Sequence, residues 1–169
     1  MIREATSADR ETIAALHIAS WRTAYRGILP DSYIDGALER DLNADWVAKF
    51  ADTGTDRLIL LAVGPDGADG FTAIKIADGW AEIDNLHVSP RRRGGGIGRA
   101  LLAEAAGRLI ARGIHRAYLG VFTANAPAIA FYERIGGLAS GRETAEIHGN
   151  RAELIRYEWP DLTVLRDGS

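Results

Sequence analysis

Apolar and polar positions change period several times along this chain, and each change marks an element. Ile2 to Ala5 alternates briefly and predicts a short strand. Ser7 is placed to cap a helix whose inward positions, Ile13, Leu16, Ser20/Trp21 and Ala24, follow helical spacing, with Gly27 and Pro30 ending it. Residues 31 to 52 hold weaker helical pieces, with Asp41 as a cap before Trp46, Val47 and Phe50. From Arg57 the pattern turns to strands: Arg57 to Val63, a Gly64-Pro65-Asp66-Gly67 turn, Gly70 to Ala77, an Asp78-Gly79 turn, and Trp80 to Val88. Asp-Gly supplies the positive φ angles of a tight hairpin turn, so the last two of these strands should be antiparallel.

After Pro90 a glycine-rich loop opens a helix from Ile97 to Arg112, its apolar side made by Leu101, Leu102, Ala105, Ala106, Leu109 and Ile110 and its stop by Gly113. Arg116 to Val121 reads as a strand, and Pro127 to Ile135 as a short helix closed by Gly136 and Gly137. Strands near Leu138 to Arg142 and Ala152 to Trp159, around a turn at Gly149-Asn150, complete the pattern. Strand, helices, three strands, helix, strand, helix and two strands make a mixed α/β (α+β) sheet covered by helices. With 169 residues and no repeat or linker, one domain over 1–169 is expected.

Composition narrows the function classes. Apolar residues make up 47% and charged residues 25%, as in average globular chains. The longest apolar run is Leu58 to Val63, far short of the roughly 20 residues of a bilayer span. Arg3, Glu4, Asp9, Arg10 and Glu11 at the start do not read as a secretion signal, so the cytoplasm is the expected location. There is no cysteine, hence no disulfide or thiol nucleophile. A net charge of −3 gives no reason to expect a nucleic-acid or membrane partner. His17, His87, His115 and His148 lack metal-ligand spacing, so no metal is expected.

The charge distribution is more specific than the sum. Arg91, Arg92, Arg93 and Arg99 interleave with Gly94, Gly95, Gly96 and Gly98 between a strand and a helix. Glycines allow close backbone approach, and a helix amino terminus adds partial positive charge, the ingredients of a phosphate cradle. The spacing fits neither the dinucleotide fingerprint, which needs another small residue where Leu101 or Arg99 stands, nor a P-loop, which needs lysine then serine or threonine.

The stretch from Val88 to Leu102 resembles the acetyl-CoA-binding motif of the GNAT superfamily of N-acetyltransferases: Arg or Gln, two free positions, Gly, one free position, then Gly or Ala, matched by Arg93, Gly96 and Gly98. Asn125 to Gly136 is similar to the second signature of that superfamily, with Gly137 standing where an aromatic residue is frequent. The resemblance implies a mostly antiparallel central sheet of about six to seven strands flanked by about four helices. It also implies that acetyl-CoA is held by Leu86, His87, Val88, Arg93, Gly94, Gly95, Gly96, Ile97, Gly98, Arg99, Asn125 and Tyr132. A strand bulge shortly after Glu82 is part of the implied picture, letting the N–H of Val88 or its neighbour face the thioester oxygen.

Tyr132 shares a helical stripe with Ala128, Phe131 and Ile135, which by itself reads as core; the resemblance makes it the acid for the departing thiolate. Asn125 reads as a helix cap or, by resemblance, as a partner of the pantetheine arm. Glu82 and Asp84, two apart on one strand, share a face. An amine with a pKa near 10 must lose a proton before attack, and Glu82 matches a position where some members carry a base; Asp84 and His87 are rivals, and a solvent-facing glutamate is the plain alternative. The resemblance further implies that Trp21, Tyr25 and Asp84 lie near the acceptor, while Trp21 by its spacing also fits the core stripe. The expected activity is acetyl transfer from acetyl-CoA to a primary amine, of a small molecule or a peptide, by direct attack in a ternary complex. A non-catalytic acyl-CoA-binding module on the same fold and a nucleotide-binding protein are the alternatives. Whether the chain is a monomer or a homodimer is left open.

Overall fold

The computed structural model describes residues 1–52 and 54–168. Among them the order is β1 (Ile2–Glu4), α1 (Arg10–Ala24), α2 (Asp31–Asp35), α3 (Leu38–Ala51), β2 (Arg57–Gly64), β3 (Gly67–Ala77), β4 (Trp80–Val88), α4 (Ile97–Ala111), β5 (Ala117–Phe122), α5 (Ala126–Arg134), β6 (Leu138–Ile147), β7 (Asn150–Trp159) and α6 (Thr163–Asp167). The seven strands form one sheet in the order β1-β2-β3-β4-β5-β7-β6. Every neighbouring pair is antiparallel except β4 and β5. The fold class expected from the sequence holds, with six helices instead of about four.

Each face of the sheet closes a separate core. Leu58, Leu60, Ile74, Ala81, Leu119 and Val121 pack against Leu101, Leu102, Ala105, Ala106 and Leu109 of α4. Alanines on α4 allow the helix to lie close to the sheet. On the opposite face Ile59, Leu61, Phe71 and Ala73 meet Ile13, Ala14 and Trp46 of α1 and α3. A third cluster joins Ile18, Trp21, Ile34 and Leu42 to Phe122 and Ala152, covering the β5–β7 end.

The differences from the sequence reading have local causes. Asp41 does not cap: it lies inside α3, where Arg40 donates to its carboxylate at 2.8 Å. Ser7 sits in a short 3-10 turn, and Asp9 organises the start by accepting from the Thr6 N–H at 2.8 Å and from Arg3. The last hairpin turns on His148-Gly149, not Gly149-Asn150; both have positive φ, and Ile147 pairs directly with Asn150. β6 runs on to Ile147 because it is an exposed edge strand held by the β7 ladder, with no apolar alternation to reveal it. α6 is a short helix that seats Leu165 in the α4 core.

Candidate active site

β4 and β5 pair only at Ala81↔Ala117 and Glu82↔Tyr118, then diverge. Parallel strands that separate leave backbone groups on their facing edges without ladder partners. The gap opens into a cleft of about 1430 Å³ that receives residues from α1, α3, β4, the loop after β4, β5, α5 and β6.

A bulge at Asp84 helps to set this geometry: Ile83 pairs with Ile74 and Asn85 with Ala73, leaving Asp84 as the extra residue. The bulge shifts the side-chain alternation. Ala81 and Ile83 point to the α4 core, and so do Leu86 and Val88, whose methyls lie near Gly98. His87 instead packs against His17 of α1 and Phe71. The Ser89 N–H donates to Asp69 on β3, so by alternation the N–H groups of Leu86 and Val88 face away from β3, toward the gap.

At the end of β4 the glycine loop turns into α4. Gly94 and Gly96 adopt φ of 81° and 76°, and a Cβ at either would meet no atom within 4 Å. These conformations favour glycine, and the space beside them admits a ligand to the backbone at the amino terminus of α4. Gly98 serves packing: a Cβ there would lie 3.4 Å from the Phe131 ring of α5. The arginines diverge in role. Arg92 is tied to Asp69 at 3.0 Å. Arg93 turns to α1, donating to Thr23 at 3.2 Å and Ser20 at 3.4 Å, so its side chain ties the loop to α1. Arg99 reaches back toward Gly168.

Behind Arg93 lies a polar cluster that the sequence pattern did not reveal. Ser20 Oγ is 2.9 Å from His87 Nδ1, and the indole N–H of Trp46 donates to His17 Nδ1 at 3.0 Å. Burial, reinforced by the nearby Arg93 and Lys49 charges, pushes the His87 pKa down to about 3. Burial likewise holds His17 well below its ordinary value. Both rings are neutral near pH 7.

The two candidate catalytic residues line the same cleft. Tyr132, on α5, packs its ring against Trp159 and Tyr157, and burial raises its pKa above the ordinary tyrosine value, which keeps the phenol protonated. Asn125 does cap α5, its Oδ1 accepting from the Ala128 N–H at 3.3 Å, while its amide N–H₂ is left for other partners. Glu82 stands at the apex of the fork beside Tyr118. Asp84 is ion-paired with Lys49 of α3 at 2.7 Å, a partner hidden in a largely polar helix. Trp21 is both buried and cleft-lining, and Tyr25, stacked edge-on against Phe122, has its pKa pushed up to about 12 by burial. Among the described residues no group of three or more His, Asp or Glu side chains could hold a metal ion.

Comparison with known proteins agrees with this geometry. The model of the Acetyltransferase (GNAT) family matches residues 18–137. The chain is 28% identical over 171 residues to the N-acetyltransferase YuaI of Bacillus subtilis, covering 98% of this chain and 95% of the relative. It is 34% identical over 137 residues to the streptothricin acetyltransferase of Streptomyces lavendulae, covering 70% and 72%. Among solved structures, the PaiA N-acetyltransferase of Thermoplasma acidophilum in complex with coenzyme A superposes with a TM-score of 0.72 at 25% identity, covering 94% of this chain and 98% of that one. A forked sheet, a glycine cradle opening α4 and a matched family model lead to one conclusion: the chain belongs to the GNAT acetyltransferase family.

Proposed function

We propose that the protein transfers an acetyl group from acetyl-CoA to the primary amine of a small molecule, by direct attack with both substrates bound. The observation that carries this reading is the convergence of Glu82, Tyr132 and the glycine cradle on the cleft opened by the β4–β5 fork. The open space beside Gly94 and Gly96 suits a pyrophosphate against backbone N–H groups, and Leu86, Val88 and the Asn125 amide offer donors along the arm. Acetyl-CoA supplies an activated thioester.

The residues of the chain then handle protons. Glu82 takes a proton from the incoming ammonium, directly or through water, so that nitrogen can form the new C–N bond. The Val88 N–H is offered to the oxygen that gains charge as attack proceeds. After attack the nitrogen releases its second proton to solvent, and as the C–S bond breaks Tyr132 gives its phenolic proton to sulfur and recovers one from solvent. The depressed basicity of His87 and the Lys49 ion pair of Asp84 favour Glu82 over both rivals. Trp21 and Tyr25 form the apolar wall for the acceptor. The similarity to a streptothricin acetyltransferase supports a small-molecule amine rather than a peptide amino group. A panel of amines, followed by thiol release from acetyl-CoA with the product identified by mass spectrometry, tests the reading. At least one small amine should be acetylated; thiol release with peptides alone would overturn the substrate class.

A further inference from the structure

Tyr118 stands where the sheet splits. Its register partner is Glu82, and the preceding pair, Ala81 and Ala117, is buried in the α4 core. Alternation therefore turns both Glu82 and Tyr118 to the opposite face, side by side at the inner end of the cleft. The Tyr118 ring is clamped. The Arg156 guanidinium lies 3.7 Å above it, and Arg156 is itself fixed by Glu158 at 2.7 Å. Trp80 meets the ring edge-on at 6.0 Å.

The surroundings give that clamped phenol a direction. Burial and interaction with the Glu82 and Glu143 carboxylates raise its pKa, so it is a hydrogen-bond donor. The Glu143 carboxylate lies over Gly120, two residues along β5, where a Cβ would come 3.4 Å from it and 3.0 Å from Leu154. The charged groups around Glu82 are Lys75 opposite on β3, Asp84 on β4 with Lys49 of α3, Glu143 on β6 and Arg156 on β7. Lys75 is the competitor. It is the cross-strand neighbour of Glu82, and a glutamate with free rotors would swing to it and away from the gap.

We propose that Tyr118 is a positioning residue for the base: its phenol donates to one Glu82 carboxylate oxygen, holds the side chain away from Lys75 and leaves the other oxygen turned to the acceptor amine. The inference rests on the reading of Glu82 as the base. Tyr118→Phe keeps the ring beneath Arg156 and deletes only the donor. With the best amine of the panel, kcat should fall about tenfold to a hundredfold, the usual effect of losing a hydrogen bond to a charged group, while the KM for acetyl-CoA stays the same. Loss of a donor to a carboxylate disfavours its ionised form, so the acidic limb of the pH profile should move to higher pH. In a Glu82→Gln background the same change should cost nothing further.

A Tyr118→Phe enzyme with wild-type kcat and an unmoved limb would overturn the inference alone, provided Glu82→Gln is impaired. A loss of kcat that leaves the limb in place, or that persists undiminished beside Glu82→Gln, would also overturn it by assigning Tyr118 to packing or amine binding. Full activity of Glu82→Gln would remove the base reading itself, and this inference with it.

Discussion

Gly96→Ala separates the two roles that the glycine loop combines. Gly96 caps α4 in the left-handed region, at φ 76°, so any side chain there strains the backbone by about 1 to 2 kcal/mol. Its Cβ would meet nothing within 4 Å, so no steric clash adds to that cost in the free protein. Gly113, just past the other end of α4, is the matched control: φ is 79° and its Cβ is equally unobstructed. The two lie roughly 25 Å apart along the helix. Alanine at either position should therefore lower unfolding stability by a similar amount, measured by urea denaturation. Coenzyme A affinity, measured by calorimetry, should separate them. A methyl group at Gly96 stands in the space through which a pyrophosphate reaches the backbone N–H groups, and should weaken binding at least tenfold, or about 1.4 kcal/mol. Gly113→Ala should bind as wild type. Equal affinities for both variants, with equal stability losses, would refute the cradle and reduce Gly96 to a turn.

Tyr132→Phe retains the packing on Trp159 and should leave coenzyme A binding and folding intact while slowing single-turnover transfer about 10²-fold, the low end for a lost general acid; a rate within twofold of wild type would remove Tyr132 from proton transfer. Glu82→Gln should impair the rate most near neutral pH and progressively less toward pH 10, where the amine sheds its own proton; a uniform loss in rate profiles across that range would point to binding instead. His87 titrates at about 3 in the fold against an ordinary 6.5, so below pH 6.5 the unfolded chain binds the additional proton and stability falls as pH drops. Between pH 6.5 and 5 the His87 share of the loss should be about 1.6 kcal/mol, and His87→Gln should remove that share in denaturant titrations while the share of the similarly buried His17 remains; an unchanged pH dependence would contradict the buried neutral His87.

Elements whose own residues hold them in place were legible in the sequence. Trp80 to Val88, bounded by Asp78-Gly79 and Pro90, is the strand its pattern predicts, and the α4 stripe from Leu101 to Leu109 is buried as expected. The turn of the glycine loop into α4 and the start of α5 followed from glycine, proline and a short motif, all of which act locally. What stayed hidden depends on tertiary partners. β6 beyond Arg142 is mostly exposed and exists because β7 pairs with it, so Glu143 carried no signal. Lys49 reads as a solvated helix residue until Asp84 and Trp46 are placed beside it. Tyr118 looked like any strand tyrosine, since only the parallel register sets it next to Glu82. The turn of Arg93 toward α1 likewise depends on hydroxyls of Ser20 and Thr23 that lie far away in sequence.

Direct transfer without an acetylated protein is the central claim, and isotope-labelled acetyl-CoA tests it most plainly. The chain lacks cysteine, and the roles assigned to Glu82 and Tyr132 are proton transfers, not covalent ones. Mixed with the protein alone, the label should stay on coenzyme A, with no free thiol and no labelled polypeptide. Addition of the acceptor should then move one label to the amine for each thiol released. Label on the polypeptide before the amine is added, chased onto the amine afterwards, would contradict the account; so would tight coenzyme A binding with no transfer to any amine.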